Sequence, residues 1–184
     1  MNDVVYSWEG PPALRLEREM VRTGDRRWIQ HRLILQNGTD GAVVIGEKDG
    51  EVLLVQQFRP VVGELLWELP RGFAEASDLA RDSEQTAVAT ARREFAEETG
   101  MRLEDCQHLG RLWTDSGVMT GAVAVVKGRV AGDRQVRPPD GEIADTRWVP
   151  AADLPLLVTA GEVRDALSVA ALGLWWARAA GPRP

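Results

Sequence analysis

The sequence predicts an α/β protein in which helices cover both faces of one sheet. Two short apolar runs, residues 42–45 and 52–55, flank an Asp49-Gly50 pair. An Asp-Gly pair between such runs favours a tight β-hairpin, and continuous apolar runs suit strands that are buried on both faces. A helix predicted over residues 84–99 and helical patterns near the C-terminus supply the covering layers.

Length and composition indicate one globular domain of ordinary character. The chain has 184 residues, of which 44% are hydrophobic and 27% are charged, enough for one substantial core. A net charge of -6 offers no basic surface to duplex nucleic acid, so we expect no nucleic-acid partner. The chain shows neither an apolar membrane span nor a secretory pattern, so we expect a cytoplasmic protein without membrane contact.

The N-terminal third reads as short strands separated by polar turns. Residues 4–8 and 28–35 are rich in β-forming and apolar side chains, and a turn cluster at residues 37–41 precedes the predicted hairpin. Residues 64–72 read as a further strand that ends in a Pro-Arg-Gly turn. The loop that follows runs to about Asp82.

The helix predicted over residues 84–99 has clear signals at both ends. Asp82 or Ser83 is the candidate N-cap, and Gly100 is placed to end the helix in a left-handed conformation. Its apolar residues at helical spacing are Val88, Ala91 and Phe95. We therefore expect this side of the helix to face the core.

The C-terminal half combines strands with two helices. Strands are predicted around residues 109–114, 122–130 and 145–149, and a loop covers residues 137–142. A short helix is predicted over residues 150–160. A longer helix follows it, with one apolar side made of Val163, Leu167, Ala170 and Leu174.

Three carboxylates on the predicted helix carry the strongest chemical signal. Glu94, Glu97 and Glu98 stand at i, i+3 and i+4, so they lie within one sector of the helix surface. Like charges this close repel each other, and a hard divalent cation such as Mg²⁺ would offset the repulsion. Arg93 can steady Glu97 from one turn away. Spacing alone fits a solvated acidic helix face equally well.

A longer string of residues resembles a known family. Residues 93–101 read Arg-Glu-Phe-Ala-Glu-Glu-Thr-Gly-Met, which resembles the second half of the Nudix box, Arg-Glu-U-x-Glu-Glu-x-Gly-U with U apolar. Upstream, residues 68–72 look like the strand-to-loop entry of that box. Residues 52–60, residues 161–166 and the N-terminal strands resemble members of the ADP-ribose pyrophosphatase-like subgroup.

The resemblance implies a Nudix-type α/β/α sandwich with a mixed sheet, preceded by N-terminal antiparallel strands. Residues 1–38 would hold those strands and contribute to a homodimer interface, as they do in the subgroup. Residues 39–184 would form the hydrolase domain. One spacing departs from the family. The box usually places a supporting Glu eight residues before its Arg, and that place falls on Gln85 here. The candidates to replace it are Glu84 and Glu75.

By resemblance, the candidate catalytic and metal-binding residues cluster on the helix and its entry loop. Glu94 and Glu98 would be principal ligands of Mg²⁺, with Mn²⁺ as the alternative, and Glu97 a third ligand or a base. The carbonyl oxygen of Arg71 would complete the ligand set. The general base in this subgroup often comes from a later loop, where Glu142 is the first candidate and Asp140 the next. The candidate catalytic residues are therefore Arg93, Glu94, Glu97, Glu98 and Glu142.

Four side chains are candidates for substrate binding. Arg59 and Arg71 could each contact a phosphate, because an acidic protein needs local cations near a polyanionic substrate. Trp28 and Trp67 could stack on a base. The simpler interpretations are a surface ion pair for each arginine and a core position for each tryptophan.

The resemblance thus implies hydrolysis of a nucleoside diphosphate linked to another moiety, with ADP-ribose as the first candidate and AMP and ribose 5-phosphate as products. A nucleotide sugar or a dinucleoside polyphosphate is the alternative substrate. A nucleotide-binding sensor without turnover and a purely structural interaction domain are the alternatives from other functional classes.

Overall fold

The computed structural model describes residues 3–132 and 142–181. It begins with a three-stranded antiparallel sheet, in which the middle strand pairs with both neighbours. These strands are β1 (Asp3–Trp8), β2 (Leu14–Thr23) and β3 (Arg26–Leu35).

A seven-stranded mixed sheet with three helices makes up the rest of the described chain. Its main strand order is β10-β5-β4-β9-β8, with β6 beside β5 and β7 beside β4. The pairing of β4 with β9 is parallel and the other pairings are antiparallel. The elements are β4 (Gly41–Lys48), β5 (Glu51–Arg59), β6 (Glu64–Glu68), β7 (Arg71–Phe73), α1 (Ser83–Thr99), β8 (Arg102–Trp113), β9 (Ala122–Ala131), β10 (Ile143–Pro150), α2 (Leu154–Thr159) and α3 (Ala166–Ala179).

The mixed sheet is buried on both faces, as its continuous apolar runs predict. Side chains that alternate along β4 enter two different clusters: Val43 and Ile45 pack on the side of α2 and α3, whereas Ala42 and Val44 pack against α1. Phe95 of α1 is fully buried in the second cluster. The α/β/α layering is therefore confirmed, because a strand of alternating orientation can be apolar throughout only when both faces are covered.

The strands β4 and β5 of the central hairpin separate a short distance from their turn, which leaves a gap between them. β4 and β5 pair only next to their turn, at Glu47–Val52 and Lys48–Glu51. The turn has positive φ at Asp49 (53°) and Gly50 (81°), which confirms the predicted tight turn. Further along, β5 pairs with β6 and β4 pairs with β7. Residues 69–70 therefore cross between the two separated strands.

One face of the N-terminal sheet carries several large apolar side chains. Cross-strand partners share a face in an antiparallel pair, and the register pairs Tyr6 with Leu16, Leu16 with Leu33 and Met20 with Ile29. At one end of this face Leu33 helps line a cavity against the mixed sheet. Elsewhere on this face Tyr6, Met20 and Ile29 are each more than half exposed. The Arg18–His31 pair lies between Leu33 and Ile29.

Some elements predicted from the sequence differ from the structure in their bounds or in their number. The helix predicted over residues 150–160 shortens to α2, because Pro150 still belongs to the ladder of β10, opposite Glu51. β8 starts at Arg102, well before the predicted strand. The N-terminal region contains β2, a full strand between the two that the sequence predicted. Most of the loop predicted over residues 137–142 lies outside the described residues.

We predict that Phe95→Ala lowers the free energy of unfolding by about 3–5 kcal/mol, because it leaves a cavity in a fully packed cluster. Gly46 leaves just enough room for the ring, since a Cβ there would lie 2.5 Å from a Phe95 ring carbon. Urea denaturation measures the effect. Leu156→Ala is the control, because Leu156 is 68% exposed and should change stability by less than about 0.5 kcal/mol. Equal effects in the two variants would contradict the packing assignment.

Candidate functional site

The helix α1, which carries the three glutamates, is capped at both ends. Asp82 accepts a hydrogen bond from the Gln85 amide at 2.8 Å. Gly100, at φ 72°, ends the helix, and its amide donates to the Ala96 carbonyl. The helix buries Phe95 and its neighbours against the sheet. The glutamates that flank Phe95 in sequence therefore emerge at the edge of that contact.

Most of the predicted site residues line one open cavity of about 490 Å³. It lies between α1, the turn from β6 to β7, the end of β5 and the segment that follows β1. Seven of the nine predicted residues are present: Arg59, Arg71, Arg93, Glu94, Glu97, Glu98 and Glu142. The fold thus brings together predicted residues from four segments: the end of β5, β7, α1 and the residue before β10.

Arg93 is the centre of the polar contacts on the α1 side. Its Nη1 donates to Glu97 at 2.7 Å, and its Nη2 donates to Glu94 at 2.9 Å and to the Phe73 carbonyl at 2.7 Å. Its Nε and Nη2 donate to Asp78 at 2.9–3.3 Å. Burial lowers the pKa of Arg93, but the hydrogen bond to Asp78 and the charge of Glu94 outweigh it and raise the pKa overall. This guanidinium is therefore permanently charged and joins α1 to the entry loop.

Asp78 is the buried carboxylate that pairs with Arg93, whereas the sequence offered Glu84 and Glu75 as candidates. It sits in a short 3₁₀ turn, Ala76–Asp78, where it accepts a hydrogen bond from the Glu75 amide at 3.0 Å. Burial opposes ionisation of Asp78, yet the hydrogen bonds from Arg93 and the Glu75 amide lower its pKa overall. Glu84 instead lies beside His108 at 3.5 Å, and Glu75 approaches Arg93 only to 3.8 Å. The longer loop thus folds back to deliver a carboxylate to the box arginine.

Among the carboxyl groups of the cavity, Glu98 has the pKa that is raised most. Burial raises its pKa to about 8, an effect that a hydrogen bond from the Arg71 amide only partly offsets. Its Oε2 is buried without a hydrogen-bond partner among the described residues. Burial also raises the pKa of Glu94, against the opposing effect of Arg93. Both groups are carboxylates that would be stabilised by an added cation.

Gly72 lets the entry loop approach α1 closely. A Cβ at this position would lie 2.1 Å from the Oε1 of Glu94, closer than any non-bonded contact allows. The backbone of β7 can therefore lie directly against the Glu94 carboxylate only because residue 72 has no side chain. The sequence marked this glycine as part of a turn, and the structure shows that it also makes room for a site residue.

On the other side of the cavity, Arg59 and Arg71 meet at one buried carboxylate. Glu68, which is 1% exposed, accepts from Arg59 at 2.5–3.2 Å and from Arg71 Nε at 3.1 Å. Arg71 also contacts Asp165 at 3.3 Å. The pKa of Arg59 is raised by its hydrogen bond to Glu68, although burial opposes the change. Both arginines are paired, and both still reach the cavity wall.

Glu142 lies at the cavity wall as an exposed side chain. It accepts a hydrogen bond from the Gln57 amide nitrogen at 3.3 Å. Gln57 belongs to β5, so the end of that strand orients the candidate base. The second candidate, Asp140, lies outside the described residues.

Trp28 and Trp67 do not line this cavity within the chain. Trp28 is 43% exposed on β3, where its indole nitrogen donates to Gln30 at 3.3 Å. Trp67 packs against the core on the side of α2 and α3. The guanidinium of Arg147 lies 5.0 Å above its ring, a cation–π contact.

The donor set of the cavity suits a hard divalent cation. Mg²⁺ takes carboxylate and carbonyl oxygens and keeps several waters, and Glu98 offers a buried oxygen without a hydrogen-bond partner in the described chain. Within residues 3–132 and 142–181, however, no three acidic, histidine or cysteine side chains are already gathered as a metal site. Glu94 and Glu97 are each turned towards Arg93.

Three contributors to the site were missed by the sequence reading. Asp78, Glu68 and Asp165 each hold an arginine of the cavity. Glu68 stood in the quoted motif, but its role depends on Arg59, nine residues earlier. Asp165 caps α3 by accepting from the Ser168 amide at 2.9 Å, and a capping signal was its only local sign.

Comparison with known proteins gives this geometry a family context. The family model described as NUDIX domain matches residues 36–171, which is more than half of the chain. The ADP-ribose pyrophosphatase of Mycobacterium tuberculosis is 31% identical over 159 residues, covering 84% of this chain and 72% of that protein. The mutator protein MutT4 of Mycobacterium tuberculosis is 30% identical over 167 residues, covering 87% of this chain and 64% of that protein.

A solved structure supports the fold. The crystal structure of an ADP compounds hydrolase matches with a TM-score of 0.78 and 15% sequence identity, over 98% of this chain and 94% of that chain. This likeness shows the shared fold. The present chain spans 64% of the length of MutT4, slightly less than two thirds.

We predict that Gly72→Ala weakens Mg²⁺ binding at least about tenfold, because its Cβ would push the Glu94 carboxylate out of place. Calorimetric titration with Mg²⁺ measures the effect. Gly173→Ala is the matched control, since nothing lies within 4 Å of the added Cβ. That substitution sits inside α3 and should raise stability by about 0.5–1 kcal/mol without changing the metal affinity. Unchanged Mg²⁺ binding in Gly72→Ala would contradict the view that Gly72 makes room for a metal-binding Glu94 carboxylate.

We predict that Glu98→Gln stabilises the metal-free protein at high pH. The folded pKa near 8 lies above the ordinary value of 4.5, so between these values the folded state binds more protons than the unfolded state. Stability contributed by this group therefore falls as pH rises from about 4.5 to 8. Glutamine has no charge to bury.

The difference in unfolding free energy between Glu98→Gln and the parent should be small near pH 5. It should grow to roughly 2–4 kcal/mol by pH 9. Urea denaturation in the presence of a chelator, at several pH values, measures it. A difference that does not vary with pH would show that Glu98 titrates normally.

Proposed function

This chain belongs to the NUDIX domain family, and we propose that it is a Nudix-type pyrophosphatase, a hydrolase of phosphoanhydride bonds. One observation carries the proposal. A single cavity combines the box glutamates on one side with two arginines on the other. A diphosphate needs cationic groups that bind its oxygens and a means of directing water at one phosphorus.

We propose Mg²⁺, or Mn²⁺ in its place, as the cofactor of this cavity. Glu94 and Glu98 would hold it, with Glu97 as a third ligand or a base and the Arg71 carbonyl completing the set. The bound ion would neutralise charge on the phosphate oxygens and lower the pKa of a bound water. The support is the buried Glu98 oxygen that lacks a hydrogen-bond partner among the described residues.

The side chains around the ion position the reactants. Arg93 fixes the orientations of Glu94 and Glu97. Arg59 and Arg71 supply N–H donors to the diphosphate oxygens, where a guanidinium can bind two oxygens at once. Glu142, which accepts a hydrogen bond from Gln57, would accept a proton from the attacking water.

We propose ADP-ribose as the first candidate substrate. Water would attack one phosphorus, the bridging P–O bond would break, and the products would be AMP and ribose 5-phosphate. The support is the 31% identity to a protein named ADP-ribose pyrophosphatase, which extends over 84% of this chain. Trp28 and Trp67 keep their proposed part in base stacking only if a partner chain or a bound substrate brings a base to them.

We also propose that the chain forms a homodimer through the N-terminal sheet. Tyr6, Met20 and Ile29 lie on one face of this sheet and expose 52–55% of their surface, and large apolar side chains left exposed in this way support an interaction surface. Residues 1–38 would then be the interface segment and residues 39–184 the hydrolase domain.

In the described ranges, no helix is both long and apolar enough to cross a membrane.

A Mg²⁺-dependent substrate panel tests the proposed activity. We expect AMP release from ADP-ribose to exceed release from nucleotide sugars and dinucleoside polyphosphates. Glu98→Gln should lower kcat at least about 100-fold, equivalent to ~2.7 kcal/mol of transition-state stabilisation. Glu104→Gln is the control, because this exposed glutamate pairs with Arg129, and its activity should be unchanged. Nucleotide binding without any Mg²⁺-dependent product would instead identify a sensor.

A further inference from the structure

Glu68 is a buried carboxylate that both cavity arginines share. It ends β6 and is 1% exposed. Arg59 forms a bidentate ion pair with it, with Nε 2.9 Å from Oε1 and Nη2 2.5 Å from Oε2. Arg71 approaches the same Oε2 with Nε at 3.1 Å and Nη2 at 3.0 Å. One oxygen therefore sets the distance between two guanidinium groups.

A second anchor holds the arrangement from α3. Asp165 contacts Arg71 at 3.3 Å and accepts a hydrogen bond from the Ser168 hydroxyl at 2.8 Å. The same hydroxyl oxygen accepts from the Leu69 amide at 2.9 Å. The turn between β6 and β7 is thus tied to the first turn of α3. The residues that cross the gap between β4 and β5 are therefore attached to α3.

The two arginines keep donors available for a ligand. Glu68 and Asp165 take up Nε and Nη2 atoms. For neither Arg59 nor Arg71 does the Nη1 group have a partner among the described residues. Both arginines line the cavity, so these N–H groups are candidate donors to an anionic ligand there. A diphosphate offers oxygens with matching geometry.

Glu68 keeps the two cavity arginines from pairing with the carboxylates of the same cavity. Arg59 and Arg71 share the cavity with Glu94 and Glu98, and long cationic side chains without a fixed partner would pair with these carboxylates. Such pairing would compete with both the metal and the anionic substrate. A buried partner on the far side holds the guanidinium groups back from the box glutamates, because separating a buried ion pair leaves an uncompensated charge.

We propose that Glu68 is a positioning residue that sets Arg59 and Arg71 as a paired clamp for the diphosphate of the substrate. The inference rests on the proposed pyrophosphatase function. It assigns Glu68 a role in anion binding, exercised through the two arginines and not through contact with the substrate. Asp165 is the auxiliary anchor for Arg71.

The test compares Glu68→Gln with the parent chain. Glutamine keeps the shape of the side chain but removes the charge that both arginines share. We expect binding of inorganic pyrophosphate, measured by calorimetry without metal, to weaken at least about tenfold. We expect KM to rise about tenfold, while kcat at saturating substrate changes less than about threefold. Glu47→Gln is the control, because Glu47 pairs with Lys127 at 2.5 Å at the other end of β4.

Two further measurements separate positioning from a purely structural role. In a double-mutant cycle with Arg59→Lys, the two losses of pyrophosphate affinity should be strongly non-additive if Glu68 acts through Arg59. Asp165→Asn should weaken pyrophosphate binding about threefold while keeping the helix cap, since Asn caps as well as Asp. The Asn variant also decides the matter if Glu68→Gln fails to fold.

Several outcomes would overturn the inference. These are unchanged pyrophosphate affinity in both variants, additive losses in the cycle, or a fall in kcat with KM unaltered. Failure of the proposed function is a separate result. If the parent chain hydrolyses nothing in the substrate panel, pyrophosphate binding still reports on the clamp, because that measurement needs no turnover.

Discussion

The site depends on one guanidinium group, that of Arg93, which donates hydrogen bonds to four residues in three segments. Three glutamates within five residues of one helix repel each other, and they are tolerated because Arg93 contacts two of them. The same group binds the Phe73 carbonyl and Asp78, so α1 cannot shift relative to β7 without breaking buried charged contacts. Helix position, loop path and carboxylate orientation are thus coupled through a single side chain.

The sheet provides the frame for that contact. Because β4 and β5 pair only beside their hairpin turn, their other ends separate and receive β7 and β6. The Glu68–Arg71 turn is thereby held in the gap, with its Pro70 carbonyl accepting from the Val44 amide at 2.9 Å. An acidic helix and a pair of arginines face each other across the opening. This arrangement lets a chain of net charge -6 present local cations to an anion.

The loop insertion shows how a family pattern survives a change of spacing. The expected position for the supporting carboxylate holds Gln85, and the obvious neighbour Glu84 points to His108 instead. The longer loop closes through a 3₁₀ turn that brings Asp78 to Arg93. In this chain the buried carboxylate beside the box arginine therefore comes from the loop and not from the start of the helix.

The sequence by itself determined the layered fold, the helix with its caps and the three glutamates, because periodicity, capping residues and a contiguous box are local signals. Together with the family resemblance, it also indicated Arg59, Arg71 and Glu142 as candidates. Only the tertiary structure identified Asp78, Glu68 and Asp165 as the partners of the cavity arginines, and only it placed Trp28 and Trp67 away from the cavity. The physical reason is that ion pairs between distant segments form by proximity in space, and side-chain spacing along the chain does not encode that proximity.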